Sequence, residues 1–170
     1  LIADRRGDVL QAQGKLDDAI QLLESLSRKS PNSPAIGPAA GKVARALDAR
    51  SIELRDKEKK PKDADELQRK AAQYYSISGK ALLAGQITGA GQVEAIADRL
   101  YVLGLIFNHV TEGQGTTYVG WSAKSTEDPK LWREAAALYE AALRLSPSYK
   151  TEINLARIYG FLGDYGNAAR

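Results

Sequence analysis

The sequence contains no cysteine and no methionine, and its single histidine is His109. The lack of cysteine excludes disulfide frameworks, thiolate metal sites and cysteine nucleophiles, and it leaves the redox compartment open. A histidine metal cluster or a Ser-His-Asp triad would depend on His109 alone, and a position near the end of a predicted helix is typical of a residue that interacts with the helix dipole. The composition therefore predicts no cofactor, no metal site and no enzymatic activity.

Long apolar runs and charge of a single sign are also missing. No apolar run approaches the roughly 20 residues of a transmembrane helix, so the sequence predicts no membrane span. The 24 basic and 21 acidic residues give a net charge of +3 and are largely interleaved, which argues against a nucleic-acid-binding surface. Because the chain lacks an initiator methionine and begins within a helical pattern, we expect it to be part of a longer protein of unknown localisation.

Three short patterns recur along the chain. In the first, apolar residues lie at i, i+4 and i+7 and a proline follows five residues later, which places one apolar stripe on a helix that the proline ends. Its two copies are Ala19, Leu23, Leu26 and Pro31, and Ala135, Tyr139, Ala142 and Pro147. The second is apolar-x-x-Leu-Gly-x-x-aromatic at 100–107, and its second half returns at 155–159. The third pairs residues 14–19 with 163–168, where glycine precedes an apolar residue and then alanine.

These patterns resemble the tetratricopeptide repeat (TPR), a 34-residue unit with Trp-x-x-Leu-Gly-x-x-Tyr, then Ala-x-x-x-Phe, then Pro. The separation of Gly7 and Pro31 equals that between the helix-A glycine and the closing proline of the family. Pro31 and Pro147 are 116 residues apart, whereas three repeats give 102, so about 14 extra residues lie between them. We assign them to an insertion at 112–128, a stretch without helical periodicity.

The resemblance implies an all-α fold in which antiparallel helix pairs stack as a right-handed α-solenoid of about three and a half repeats. We expect a single domain over 1–170, with units at about 1–33, 34–86, 90–147 and 148–170, and further repeats or other domains in the same chain. The predicted helices span about 1–13, 16–29, 35–58, 63–84, 91–110, 129–145 and 149–162, and the last begins near Tyr165. Asp63 is the expected N-cap of the fourth helix.

Protein binding is the function that the resemblance implies, because TPR stacks usually hold peptides or partner proteins on a concave face lined by the first helix of each pair. The alternative is a non-catalytic regulatory or substrate-positioning domain of a larger enzyme. A nucleic-acid-binding repeat is a third hypothesis and predicts steeply salt-dependent binding. The chaperone-tail-binding subtype does not fit, because Asp4 and Asp8 occupy positions from which that subtype binds a carboxylate.

The predicted binding face starts from helix 91–110. Residues 100, 103, 104 and 107 form the stripe that packs against the paired helix, so the neighbouring stripe faces away from that contact. The family pattern then identifies the residues of other units that lie on the same face. The predicted partner-binding residues are Lys42, Arg45, Asp98, Tyr101, Leu105, Asn108, Lys150, Ile153 and Arg157. They predict a groove with an apolar middle and basic flanks, suited to a peptide with an apolar anchor and a nearby carboxylate. The other interpretation is that a further repeat or the inserted loop covers part of this face. The inserted loop itself is predicted to be mobile or to contact a partner, with Trp121 at its aromatic tip.

Overall fold

The computed structural model describes residues 16–86, 89–107 and 129–169, and these residues form seven α-helices and no strand. In chain order the helices are α1 Leu16–Lys29, α2 Ile36–Asp56, α3 Pro61–Ala81, α4 Ala90–Phe107, α5 Lys130–Leu145, α6 Tyr149–Phe161 and α7 Tyr165–Ala168. The predicted all-α class is confirmed. The predicted helix at 1–13 and the insertion at 112–128 lie outside the described residues. None of the described helices has the length and apolar character needed to cross a membrane.

The chain divides into two compact units, Leu1–Gln86 and Ile87–Arg170. In the first unit, α2 and α3 form an antiparallel hairpin with small residues along the shared surface. Ala44 and Ala71 have no exposed surface, and a Cβ on Gly41 would lie 3.0 Å from Ser78 Oγ. Small residues at these positions allow the two helices to approach closely along most of their length. Helix α1 packs against α2.

The ends of α2 and α3 differ from the predicted ones. Helix α3 begins at Pro61, two residues before the predicted N-cap Asp63. Proline suits the first helical turn, because the backbone N–H that it lacks would have no acceptor within the helix there. Asp63 instead lies within that first turn, where a carboxylate interacts favourably with the helix dipole. At the other end, a π-helical turn, Leu82–Gln86, follows α3 and includes Gly85 at φ 105°.

In the second unit, α4 and α5 pack closely around Gly104. The indole of Trp132 lies directly over Gly104, so a Cβ at that position would overlap the ring. Trp132 is fully buried, stacks on Phe161 with ring centroids 4.5 Å apart, and donates from Nε1 to the Tyr101 carbonyl at 3.3 Å. The Leu-Gly motif thus marks a close helix approach, as its small residue predicts.

The recurring glycine at 163 ends α6 by a specific capping geometry. Gly163 has φ 73°, a left-handed conformation that side-chain-bearing residues adopt at a cost. Its N–H donates to Gly160 O at 3.2 Å, and the next N–H, of Asp164, donates to Tyr159 O at 2.8 Å. These two bonds satisfy the last carbonyls of α6 in a Schellman motif. Asp164 then caps α7 by accepting from the Asn167 N–H at 3.2 Å.

Candidate functional site

The structure distributes the predicted binding residues over both compact units. Lys42 and Arg45 lie on α2 in the first unit. In the second unit, α4 carries Asp98, Tyr101 and Leu105, and α6 carries Lys150, Ile153 and Arg157. Asn108 and Trp121 lie outside the described residues. The second unit therefore holds most of the predicted face, on two helices that are separated in sequence by α5.

Asp98 is the centre of a polar cluster that joins three helices of this unit. Its Oδ1 accepts from the Tyr139 hydroxyl of α5 at 2.5 Å, and its Oδ2 accepts from Lys150 Nζ of α6 at 2.6 Å. Asn154, one turn after Lys150, directs Nδ2 towards both Asp98 Oδ1, at 3.5 Å, and the Tyr139 oxygen, at 3.3 Å. One carboxylate on α4 thus fixes side chains from α5 and α6, and α6 lies beside α4 at this point.

A second set of hydrogen bonds joins α4 to the beginning of α6. Thr151 is buried and donates from Oγ1 to Glu94 Oε1 at 2.6 Å. Ser148 has an extended backbone and accepts from the Thr151 N–H at 3.4 Å, as expected of an N-cap serine. Glu94 precedes Asp98 by four residues, so both carboxylates lie on the same face of α4. The first turns of α6 are therefore held against that face.

The electrostatics of the cluster follow from the burial of Tyr139 and from the hydrogen bonds that Asp98 accepts. Burial raises the pKa of Tyr139, and its hydrogen bond to Asp98 raises it further, so this hydroxyl remains a donor at physiological pH. The hydrogen bond to Asp98 also raises the pKa of Lys150. The side chains of Lys150 and Asp98 are 66% and 32% exposed. The cluster therefore consists of a partly exposed ion pair, Asp98 with Lys150, next to the buried and neutral Tyr139 hydroxyl.

Tyr101 does not have the accessible position that the stripe argument gives it. Its side chain is only 5% exposed, because Phe161 from the end of α6 packs against it with ring centroids 6.3 Å apart. The apolar part of the predicted face consequently consists of Leu105 and Ile153, which are both partly exposed. Lys150 is also not an independent basic flank, because Asp98 neutralises it.

Sequence reasoning missed the polar partners that organise this site. Tyr139 was assigned to the packing stripe of its helix, and Asn154, Thr151 and Glu94 received no role. Two signals bear on them: the i, i+4 spacing of Glu94 and Asp98, and the need of a buried tyrosine hydroxyl for an acceptor. Neither signal identifies which distant helix supplies the partner.

The arrangement is suited to holding helices and presenting a surface. Within the described ranges, no group of three or more His, Asp or Glu side chains is placed to hold a metal ion. The hydroxyls of Tyr139 and Thr151 donate to the carboxylates of Asp98 and Glu94 on α4. No protein-family model matches the chain, and no curated protein matches it.

Proposed function

We propose that the chain is a TPR-like helical-repeat domain, a right-handed solenoid of antiparallel helix pairs, that binds an extended segment of a partner protein along α4 and α6. The Asp98 cluster carries the proposal, because it joins α4 to Lys150 and Asn154 of α6. These helices are the predicted first helices of the third and fourth repeats. In the family that the sequence resembles, first helices line the binding face.

The chemistry of this face indicates how a partner segment binds. Asp98 and Lys150 form an ion pair, so they contribute orientation and polar contacts more than net charge. Leu105 and Ile153 are partly exposed, and removing such apolar surface from water favours association. We infer that the partner inserts an apolar side chain between α4 and α6 and places polar groups over the ion pair.

Affinity capture with matched variants tests this function. The chain and two variants of it are immobilised and exposed to cell extract. The variant Ile153→Asp puts a charge at the centre of the proposed face. The control variant Leu143→Asp changes a partly exposed aliphatic residue of α5 that lies outside the face. Circular dichroism first checks that all three remain helical. The proposal predicts proteins that the parent and Leu143→Asp retain and Ile153→Asp loses. Equal retention by all three, or no protein retained above the bare matrix, contradicts it.

A further inference from the structure

Helix α6 is the least buried of the longer helices of the second unit. Of its 13 residues, all of which the structure describes, three are buried, whereas α5 buries eight of its 16. Two of the three, Ile158 and Phe161, lie in the last turn of α6. The third, Thr151, is polar and lies in the first turn. Burial of apolar surface therefore fixes the end of α6 more strongly than its beginning.

The end of α6 is held by aromatic and aliphatic packing. Phe161 stacks on the fully buried Trp132 of α5 with ring centroids 4.5 Å apart, and it packs against Tyr101 of α4 with ring centroids 6.3 Å apart. Ile158 has no exposed surface. Separating these side chains would expose large apolar surfaces to water, which is costly. The last turn of α6 is therefore a fixed point against α4 and α5.

The beginning of α6 is held to α4 by polar side chains. Lys150 donates to Asp98 at 2.6 Å, and Asn154 lies 3.5 Å from the same carboxylate. Thr151 donates to Glu94 at 2.6 Å. The ion pair contributes little to stability because its side chains are 66% and 32% exposed, and opening returns each donor and acceptor to water. These contacts determine where α6 lies on α4 but cost little to break.

Opening the beginning of α6 would leave the rest of the site in place. The Tyr139 hydroxyl of α5 donates to Asp98 at 2.5 Å independently of α6, so this carboxylate would keep its orientation on α4. Leu105 of α4 and Ile153 of α6 are already partly exposed in the closed arrangement. Opening therefore exposes little additional apolar surface at these two residues, and a segment with few buried apolar side chains is one that opens locally.

We propose that the first two turns of α6 act as a gate, which separates from α4 about the fixed Phe161 end and admits the partner's apolar side chain between Leu105 and Ile153. This inference rests on the proposed protein-binding function and names how access to that site is regulated. Because the open arrangement is the one that binds, the closed fraction reduces the apparent affinity. Holding the gate closed should therefore weaken partner binding, and loosening it should tighten binding.

Hydrogen–deuterium exchange of the chain measures the opening without a partner. Amides of residues 153–156 should exchange faster than those of 157–161, which the apolar packing protects. Thr151→Val keeps the shape of the side chain but removes its hydrogen bond to Glu94, so it should speed exchange at 153–156 about two- to tenfold. The control Lys70→Ala removes an ion pair within α3 and should leave these rates unchanged. Equal exchange along α6 that Thr151→Val does not alter overturns the gate.

A covalent link can hold the gate closed, because the chain has no cysteine of its own. Glu94→Cys combined with Thr151→Cys places two thiols where these side chains are in contact. Dibromobimane, which fluoresces once it has joined two thiols, then links α4 to α6. The control link joins Arg133→Cys to Ala137→Cys, one turn apart on α5 alone. Affinity capture compares each variant before and after linking, once circular dichroism shows that it is helical.

The outcomes separate the gate from the function on which it rests. Linking 94 to 151 should reduce the retained proteins that depend on Ile153 by at least about fivefold, whereas linking 133 to 137 should change them by less than about twofold. Thr151→Val should retain at least as much as the parent. Unchanged retention after the 94–151 link, or less retention by Thr151→Val, overturns the gate and leaves the proposed function standing. If the parent retains no protein that depends on Ile153, the proposed function fails and the gate fails with it.

Discussion

Replacing Gly104 by alanine tests the close approach of α4 and α5. Alanine favours a helix over glycine by about 1 kcal/mol, so on an open helix surface the change is stabilising. At Gly104 the new Cβ overlaps the indole of Trp132. That ring is fully buried, stacked on Phe161 and hydrogen-bonded to a backbone carbonyl, so it has little freedom to move. Overpacking of a rigid core costs about 1–3 kcal/mol, and after the gain in helix propensity is subtracted we expect a net loss of up to about 2 kcal/mol.

Urea denaturation followed by tryptophan fluorescence measures this loss, because both tryptophans belong to the second unit. Gly91→Ala, near the start of the same helix and with open space around its Cβ, is the control and should leave the stability unchanged or raise it by up to about 1 kcal/mol. Adding Trp132→Phe to Gly104→Ala should make the two losses less than additive, since the smaller ring leaves room for the Cβ. Equal stability of Gly104→Ala and Gly91→Ala would refute the close approach.

Three further changes follow from the second unit. Asp98→Ala should lower the free energy of unfolding, measured with urea, by about 1–3 kcal/mol, because it removes the charged acceptor of the buried Tyr139 hydroxyl. Asp98→Asn keeps an acceptor and should recover more than half of that loss. Equal losses in the two variants would contradict the role of the acceptor. Gly163→Ala should cost about 1 kcal/mol, because it forces a Cβ into the left-handed conformation at φ 73°; an unchanged midpoint would contradict it. Burial raises the pKa of Tyr159 to about 12, helped by its hydrogen bond to Glu140, so its contribution to stability is present below its unfolded pKa of about 10 and is lost as the pH rises towards 12. In alkaline buffers the free energy of unfolding should fall less steeply with pH for Tyr159→Phe than for the parent. Parallel curves for the two proteins would contradict this contribution of Tyr159.

The helices were predictable because their signals are local. Apolar residues at helical spacing and the closing prolines locate most helix bodies, and Pro147 correctly separates α5 from α6. The error at the start of α3 arose because Pro61 and Asp63 are both acceptable near a helix N-terminus, and the sequence does not rank them. The buried alanines Ala19 and Ala142 were also predictable from their stripes.

The candidate site was less predictable because its contacts are not local. The stripe of α4 makes Tyr101 look peripheral, but Phe161 buries it from 60 positions further along the chain. Asp98 and Lys150 were both predicted on the binding face, yet their ion pair depends on how closely α6 approaches α4. Helical periodicity specifies the direction of a side chain on its own helix and not the side chain that it meets on another.

Site-specific photo-cross-linking from the proposed face is the most direct test of the central claim that α4 and α6 bind a partner segment. A benzophenone amino acid replaces Ile153, which lies on that face, or Arg133, an exposed residue of α5 outside it. Both variants are irradiated in cell extract after circular dichroism shows that they are helical. The account predicts discrete cross-linked species from position 153 that are absent from position 133. The same species from both positions, or none from position 153, would contradict it.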